Sequence, residues 1–189
     1  MPTKGHLFII SGPSGAGKST ILSAILRKGP QFRYSISYTT RSPRGNEQDG
    51  VDYNFISEIA FRNKIEAGEL AEWAEVHGRL YGTSATYVEE TLAAGQEVLL
   101  DIDVQGAKRL FAKYPDAISV FIATPNMEEL KKRLMKRGTD SPEAVERRLK
   151  DAEEEMTQAH LYDHVVVNDD LNQTVSTLEA ILEKAYHNG

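Results

Sequence analysis

The chain has 189 residues, 40% of them apolar and 26% charged, and a formal net charge of −6. That length suits one domain with a sizeable core, and the acidic balance excludes a general nucleic-acid binder, whose footprint would be basic. The absence of cysteine removes disulfides, thiolate metal sites and Cys nucleophiles together. The apolar run behind the N-terminus is too short for a signal core or a membrane span, so no membrane partner and a cytoplasmic location are expected.

In chain order, residues 7–10 form the first brief, continuous apolar run, the pattern of a parallel strand covered on both faces. Gly12-Pro13-Ser14-Gly15-Ala16-Gly17-Lys18-Ser19 follows and matches G-x-x-x-x-G-K-[ST] in full. Residues 19–27 continue as a helix with Leu22, Ile25 and Leu26 on one face. Strand, glycine loop and helix together are the context a phosphate loop requires. The glycines let consecutive N–H groups point at phosphate oxygens, and the helix N-terminus adds partial positive charge. Lys18 should reach the β- and γ-phosphates, and the Ser19 hydroxyl should ligate Mg²⁺.

Residues 35–88 break the rhythm. Short strands are expected at 34–38, 53–56 and 70–76, punctuated by Gly45, Gly50, Gly68, Gly78 and Gly82, as in an inserted β-rich sub-domain. Here Arg41 and Arg44 lie three apart on a turn. Two planar forks can hold one dianion, although such a pair taken alone reads as ordinary solvated charge.

Residues 98–102 form the second buried run, with Asp101 at its C-terminal end, next to Ile102. An acid at the C-terminal end of a strand beside a phosphate loop suits a Mg²⁺–water partner; a strand-end or capping carboxylate is the alternative. Residues 118–123 and 165–167 are the third and fourth strands. Between them, residues 127–137 are helical with Leu130 and Leu134 four apart, stopping at Gly138. Ser141-Pro142-Glu143 opens a further helix carrying Val145, Leu149, Ala152 and Met156. Glu128/Lys132, Glu129/Arg133 and Glu143/Arg147 are spaced as salt-bridged pairs on a solvated face. A last helix carries Val175, Leu178, Ile181, Leu182 and Ala185. Strands alternating with helices give an α/β fold with a parallel sheet. His160 and His164 have no third ligand nearby and are not read as a metal pair.

Several of these motifs, taken as a set, resemble one family. The phosphate loop is followed by Ser37-x-x-x-Arg41-x-x-Arg44, then Asp52-Tyr53-Asn54-Phe55, Glu72-Trp73-Ala74 and Tyr81-Gly82-Thr83. Asp101-Ile102-Asp103-x-Gln105-Gly106 comes next, with Tyr162-Asp163 and Val167-Asn168-Asp169-Asp170 near the end. This order and spacing are similar to those of the guanylate kinases, over nearly the whole chain. The resemblance implies a P-loop NTPase three-layer α/β/α core with a parallel sheet, a small β-rich sub-domain that binds the nucleoside monophosphate, and a helical lid. The core would be residues 1–34, 89–126 and 152–189, the GMP-binding insert 35–88 and the lid 127–151.

The resemblance also implies roles. Gly12, Pro13, Ser14, Gly15, Ala16, Gly17, Lys18, Ser19, Thr20 and Asn168 would bind ATP. Ser37, Arg41, Arg44, Tyr53, Glu72, Tyr81, Thr83 and Asp103 would bind GMP. Arg133, Arg137 and Arg148 would close over the triphosphate and join Lys18, Arg41 and Arg44 in neutralising the transferring phosphoryl. Ser19 and Asp101, the latter through water, would hold Mg²⁺. Guanine offers N1–H and N2–H₂ side by side, a donor pair that one carboxylate can accept, whereas adenine presents an acceptor at N1. Hydroxyls at Ser37 and Thr83 can donate to O6. Trp73 is read as a packing residue.

The implied reaction moves the γ-phosphoryl of Mg·ATP to GMP, and to dGMP. Two other readings fit parts of the pattern: a related ribose bisphosphate kinase, which has no use for Glu72, Ser37 and Thr83, and a non-catalytic phosphopeptide-binding module, which would not keep a complete phosphate loop.

Overall fold

A computed structural model describes residues 4–28, 32–136 and 142–187. In chain order the elements are β1 (Leu7–Ser11), α1 (Lys18–Lys28), β2 (Phe32–Tyr34), β3 (Tyr38–Thr39), β4 (Asn54–Phe55), α2 (Glu58–Glu66), β5 (Leu70–Val76) and β6 (Arg79–Ser84). They continue with α3 (Ala85–Ala93), β7 (Glu97–Asp101), α4 (Val104–Lys113), β8 (Ile118–Ala123), α5 (Met127–Lys136), α6 (Pro142–Met156), β9 (His164–Val167) and α7 (Leu171–His187). One sheet has the order β2-β7-β1-β8-β9 and the other β4-β3-β6-β5. The fold is α/β with a parallel sheet, as the alternating pattern predicts.

By contact, the chain falls into two compact units. One gathers Met1–Leu7, Gln31–Leu100 and Gln105–Ala117; the other gathers Phe8–Pro30, Asp101–Val104 and Ile118–Gly189.

In the second unit β8 pairs in parallel with β1 on one side and β9 on the other, with Phe8 opposite Ile118 and Val120 opposite His164. Every residue of β1 is buried, and β8 is buried from Ser119 onward. A strand covered on both faces needs a mostly apolar run, which 7–10 and 118–123 supply, Ser119 being the one polar residue within them. Asp163 ties the start of this sheet: its Oδ2 accepts from the Ser119 amide at 2.8 Å and from the Ser119 hydroxyl at 2.7 Å. Helices α5 and α6 pack on each other through Leu130, Leu134, Val145 and Ala152, with Met127 and Leu149 at the edge. The expected pairs Glu128–Lys132 and Glu129–Arg133 form, at 3.1 and 3.0 Å. The expected helix stop at Gly138 and cap at Ser141 lie outside the described residues.

In the first unit β2 and β7 run parallel, and the smaller sheet is mainly antiparallel. Its hairpin turns at His77 and Gly78, with φ of 50° and 72°, the paired positive values that match the twist of the flanking strands. Strand β5 matches the expected 70–76. The expected strand at 34–38 is instead two: β2 ends at Tyr34 and β3 begins at Tyr38. Between them the backbone is held from two directions, the Ser35 amide donating to Leu99 O and the Asn54 amide to Ser37 O. The insert expected to be strands and turns also contains helix α2. Ser57 caps it, its hydroxyl accepting from the Ala60 amide at 3.2 Å. Only Phe61 of α2 is buried, and Ile59 is 76% exposed, so its apolar period is faint in the sequence. Among the described residues no helix is long and apolar enough to cross a membrane.

Candidate active site

The second unit builds a phosphate cradle between β1 and α1. Gly12, Gly15 and Gly17 take φ of 138°, 93° and 93°, values closed to most side-chain-bearing residues. Space enforces the same choice. A Cβ on Gly12 would collide with the Ile122 carbonyl, and one on Gly17 would collide with the Asn168 amide. Pro13 and Ala16 are buried, Ser14 is half-buried, and Ser19 and Thr20 are exposed at the opening of α1. The turn is closed by the Ala16 amide donating to Pro13 O at 3.0 Å, and α1 begins with the Ile21 amide on Gly17 O.

Lys18 folds back along the loop, its Nζ donating to Gly12 O at 2.6 Å. Asp101, at the end of β7, shares this unit. Burial raises its carboxyl above the ordinary range, opposed by the Lys18 charge and the Ser19 hydroxyl. Asn168 lies just beyond β9 and braces the loop from behind. Its Nδ2 donates to Ala16 O at 2.7 Å, and its Oδ1 accepts from the Thr174 hydroxyl at 3.2 Å. Arg133 on α5 reaches the Asn168 carbonyl at 2.9 Å and Glu129 at 3.0 Å. Arg148 is half-buried on α6, and Arg137 lies outside the described residues.

Glu155 on α6, which sequence reading passed over, is pushed up to about 7, chiefly by burial; Asp103 and Asp151 add to the shift and Lys18 opposes it. Tyr162 packs edge-on against Phe121, 5.2 Å between rings. Burial raises its hydroxyl above the ordinary range, against the Ser11 hydroxyl.

The first unit holds the remaining expected residues on the smaller sheet. A register shift between Leu70 and Glu72 turns β5 so that Glu72 faces Thr83 on β6. Both are buried, and the Thr83 hydroxyl donates to Glu72 Oε1 at 2.7 Å. Tyr81, two residues before Thr83, is on the same face of β6. The pairing of Tyr38 with Gly82 and Thr39 with Tyr81 places Ser37 across from Thr83.

Two hydroxyls fix the approach to Arg41. Thr39 Oγ1 donates to Leu80 O at 3.1 Å, and Thr40 Oγ1 accepts from the Leu80 amide at 2.9 Å. The Arg41 guanidinium stacks 4.8 Å from the Tyr53 ring and 5.5 Å from Phe55, while Tyr53 meets Tyr81 edge-on at 6.0 Å. Arg41 is 8% exposed and carries a bidentate pair with Glu47. That pair holds the Glu47 carboxyl below its ordinary range. Nothing in the sequence separates Glu47 from a solvated acid; its role depends on how the turn closes. Arg44 is exposed. Trp73 packs, half-buried, beneath Arg109, whose guanidinium lies 4.6 Å from the ring. Asp103 belongs to the unit of the phosphate loop, not to the one that holds the other expected GMP residues.

A glycine loop between a parallel strand and a helix, with Lys18, Ser19 and a strand-end acid, defines a P-loop nucleotide-binding protein. Similarity to known proteins narrows the class. A family model described as Guanylate kinase matches residues 4–185. The guanylate kinase of Symbiobacterium thermophilum is 52% identical over 184 residues, 96% of this chain and 87% of that one. The guanylate kinase of Dechloromonas aromatica is 48% identical over 178 residues, 94% and 88% of the two chains. The crystal structure of guanylate kinase from Anaplasma phagocytophilum superimposes with a TM-score of 0.79 at 32% identity, covering 96% of this chain and 86% of that one. The chain belongs to the guanylate kinase family.

Proposed function

We propose that this protein is an ATP:GMP phosphotransferase of purine nucleotide metabolism, working in the cytoplasm and accepting dGMP as a second substrate. The observation that carries the reading is the buried Glu72–Thr83 pair on facing strands, with Tyr81 two residues away on the same face. A carboxylate at that position accepts the two adjacent N–H groups of guanine's edge, and a site built on buried hydrogen bonds rejects adenine strongly. A hydroxyl has one proton, and that of Thr83 is directed at Glu72. Donation to O6 therefore falls to Ser37, while Thr83 orients the carboxylate. Arg41, Arg44, Tyr53 and Tyr81 hold the GMP phosphate, and Asp103 contributes to the same substrate.

The phosphate loop, Gly12 to Thr20, grips ATP with its amides. On binding, Lys18 exchanges the carbonyls of its own loop for β- and γ-phosphate oxygens. Ser19 and Asp101 offer hard oxygen donors of the kind Mg²⁺ takes; they would hold the ion, Asp101 through water, and it would screen the charge on the β- and γ-phosphates. The attacking group is an oxygen of GMP's phosphate, largely ionised at neutral pH because its second pKa is about 6, so no general base is needed. Catalysis rests on alignment and charge neutralisation by Lys18, Arg41, Arg44 and the arginines of the helical lid, Arg133, Arg137 and Arg148. Asn168 supports the ATP site by bracing Ala16. Residues 35–88 serve as the GMP-binding insert and 127–151 as the lid on a core of the remaining segments.

The test is ADP formation with Mg·ATP against GMP, dGMP, AMP, CMP, UMP and ribose 1,5-bisphosphate. Turnover confined to GMP and dGMP is expected. Turnover with AMP or the sugar bisphosphate would overturn Glu72 as the guanine reader, and none with any acceptor would favour a binding module.

A further inference from the structure

We propose that Glu47 is a positioning residue for the acceptor phosphate: it fixes the Arg41 guanidinium and the Arg44 turn so that one edge of Arg41 is kept for the ligand. The inference rests on the reading that Arg41 and Arg44 bind the phosphate of GMP.

A guanidinium has five N–H groups. In Arg41 one N–H on Nη1 goes to Ser42 O at 3.0 Å, another on Nη1 to Glu47 Oε2 at 2.5 Å, and one on Nη2 to Glu47 Oε1 at 2.7 Å. Two remain, on Nε and Nη2, with no protein acceptor among the described residues. They are adjacent and parallel, the fork that grips two phosphate oxygens. The plane cannot rotate freely, since its face is stacked on Tyr53. Glu47 holds a second group as well. Its Oε2 accepts from the Arg44 amide at 2.7 Å, and its own amide donates to Arg44 O at 3.0 Å, closing the turn that presents Arg44.

A different role is conceivable for an acid in this place, that of an internal anion occupying the phosphate's position until displaced. Expelling Glu47 would break both bonds to Arg41 and the bond to the Arg44 amide, so the incoming phosphate would have to replace all three around a guanidinium that is only 8% exposed. A fixed support costs none of this, and the open Nε/Nη2 edge needs no displacement.

The two roles give opposite signs. Glu47→Gln and Glu47→Ala are assayed for kcat and KM with both substrates. Dissociation constants for GMP and for guanosine, which lacks the phosphate, are measured by calorimetry. With Glu47 as a support, KM and Kd for GMP rise about tenfold or more, while KM for ATP and Kd for guanosine stay within about twofold. Glu47→Asp, which keeps the charge on a shorter arm, falls between; it also serves if the other variants do not fold. Tighter GMP binding in Glu47→Gln would overturn the proposal in favour of the internal anion. Equal weakening of GMP and guanosine would overturn it in favour of a general structural role, and no change in either would overturn it by leaving Glu47 no part in binding. Wild-type protein that binds GMP no better than guanosine would instead refute the phosphate site itself.

Discussion

The Thr83 hydroxyl donates to the Glu72 carboxylate at 2.7 Å, across adjacent strands and out of solvent. The contact exists because one extra residue in β5, between Leu70 and Glu72, shifts the register and turns Glu72 toward β6. A buried carboxylate with a dedicated donor is held in one orientation, so on the proposed reading less ordering is left for a guanine ligand to impose.

Thr83→Val keeps the shape of the side chain and removes the donor. Losing one partner of a buried charged group costs about 1–3 kcal/mol, so KM for GMP should rise roughly tenfold or more while KM for ATP stays put. Glu72→Gln should go further in selectivity, because its amide N–H can face the N1 acceptor of adenine. The ratio of kcat/KM for GMP over AMP, measured in both variants, decides. A ratio unchanged in Glu72→Gln would remove Glu72 from guanine recognition.

Lys18 already lies along the phosphate loop, 2.6 Å from Gly12 O, and its charge partly offsets the cost of burying Asp101. Lys18→Ala should leave the circular dichroism spectrum intact and reduce turnover by roughly a thousandfold, the scale of removing a cation from a transferring phosphoryl group. Activity within tenfold of wild type in the folded variant would show that the loop is not the site of transfer.

Gly12 combines a φ of 138° with a backbone carbonyl, that of Ile122, where a Cβ would go. A backbone neighbour cannot swing aside as a side chain does. Gly12→Ala should therefore cost about 2 kcal/mol or more, lowering the thermal midpoint by roughly 4–8 °C, and should weaken ATP binding in the same protein. A variant with an unaltered midpoint would mean the loop adapts without strain. Gly45, which has nothing within 4 Å of its added Cβ, is the contrasting position: there only the φ of 54° opposes alanine.

Local chemistry explains which of these features sequence could disclose. The phosphate loop is legible because every constraint on it is local: the glycines satisfy backbone φ, and the strand before and helix after are contiguous in the chain. The buried strands are legible because burial on both faces forces a predominantly apolar run, as in β1 and β8, where only Ser11 and Ser119 are polar. Helix α2 was not, since a helix that buries only Phe61 leaves almost no periodicity. Strand β6 was missed in a stretch punctuated by Gly78 and Gly82, and the hairpin that creates it depends on His77 and Gly78 both adopting positive φ. Glu47 and Glu155 are two acids among 28 Asp and Glu residues. What distinguishes them is a neighbour brought by folding: Arg41 for one, Lys18 and Asp103 for the other. The hydroxyl of Thr83 illustrates the same limit, because its residue type permits donation to a ligand or to Glu72 and only the register of two strands chooses.

Glu155 gives the last prediction, one of pH. Burial, with Asp103 and Asp151 nearby, pushes its carboxyl up to about 7, against an ordinary value of 4.5, although Lys18 pulls the other way. Between these two values the folded protein binds a proton that the unfolded chain has already released, so stability falls as pH rises. The contribution is fully present below about 4.5 and is lost as pH passes through about 7. Glu155→Gln carries no ionisable proton and should lose that slope. Its thermal midpoint should match wild type near pH 5 and exceed it by roughly 5 °C at pH 8, since each kcal/mol moves a domain of this size by about 2–4 °C. Parallel midpoint curves for the two proteins from pH 5 to 8 would show that Glu155 ionises as an ordinary surface acid.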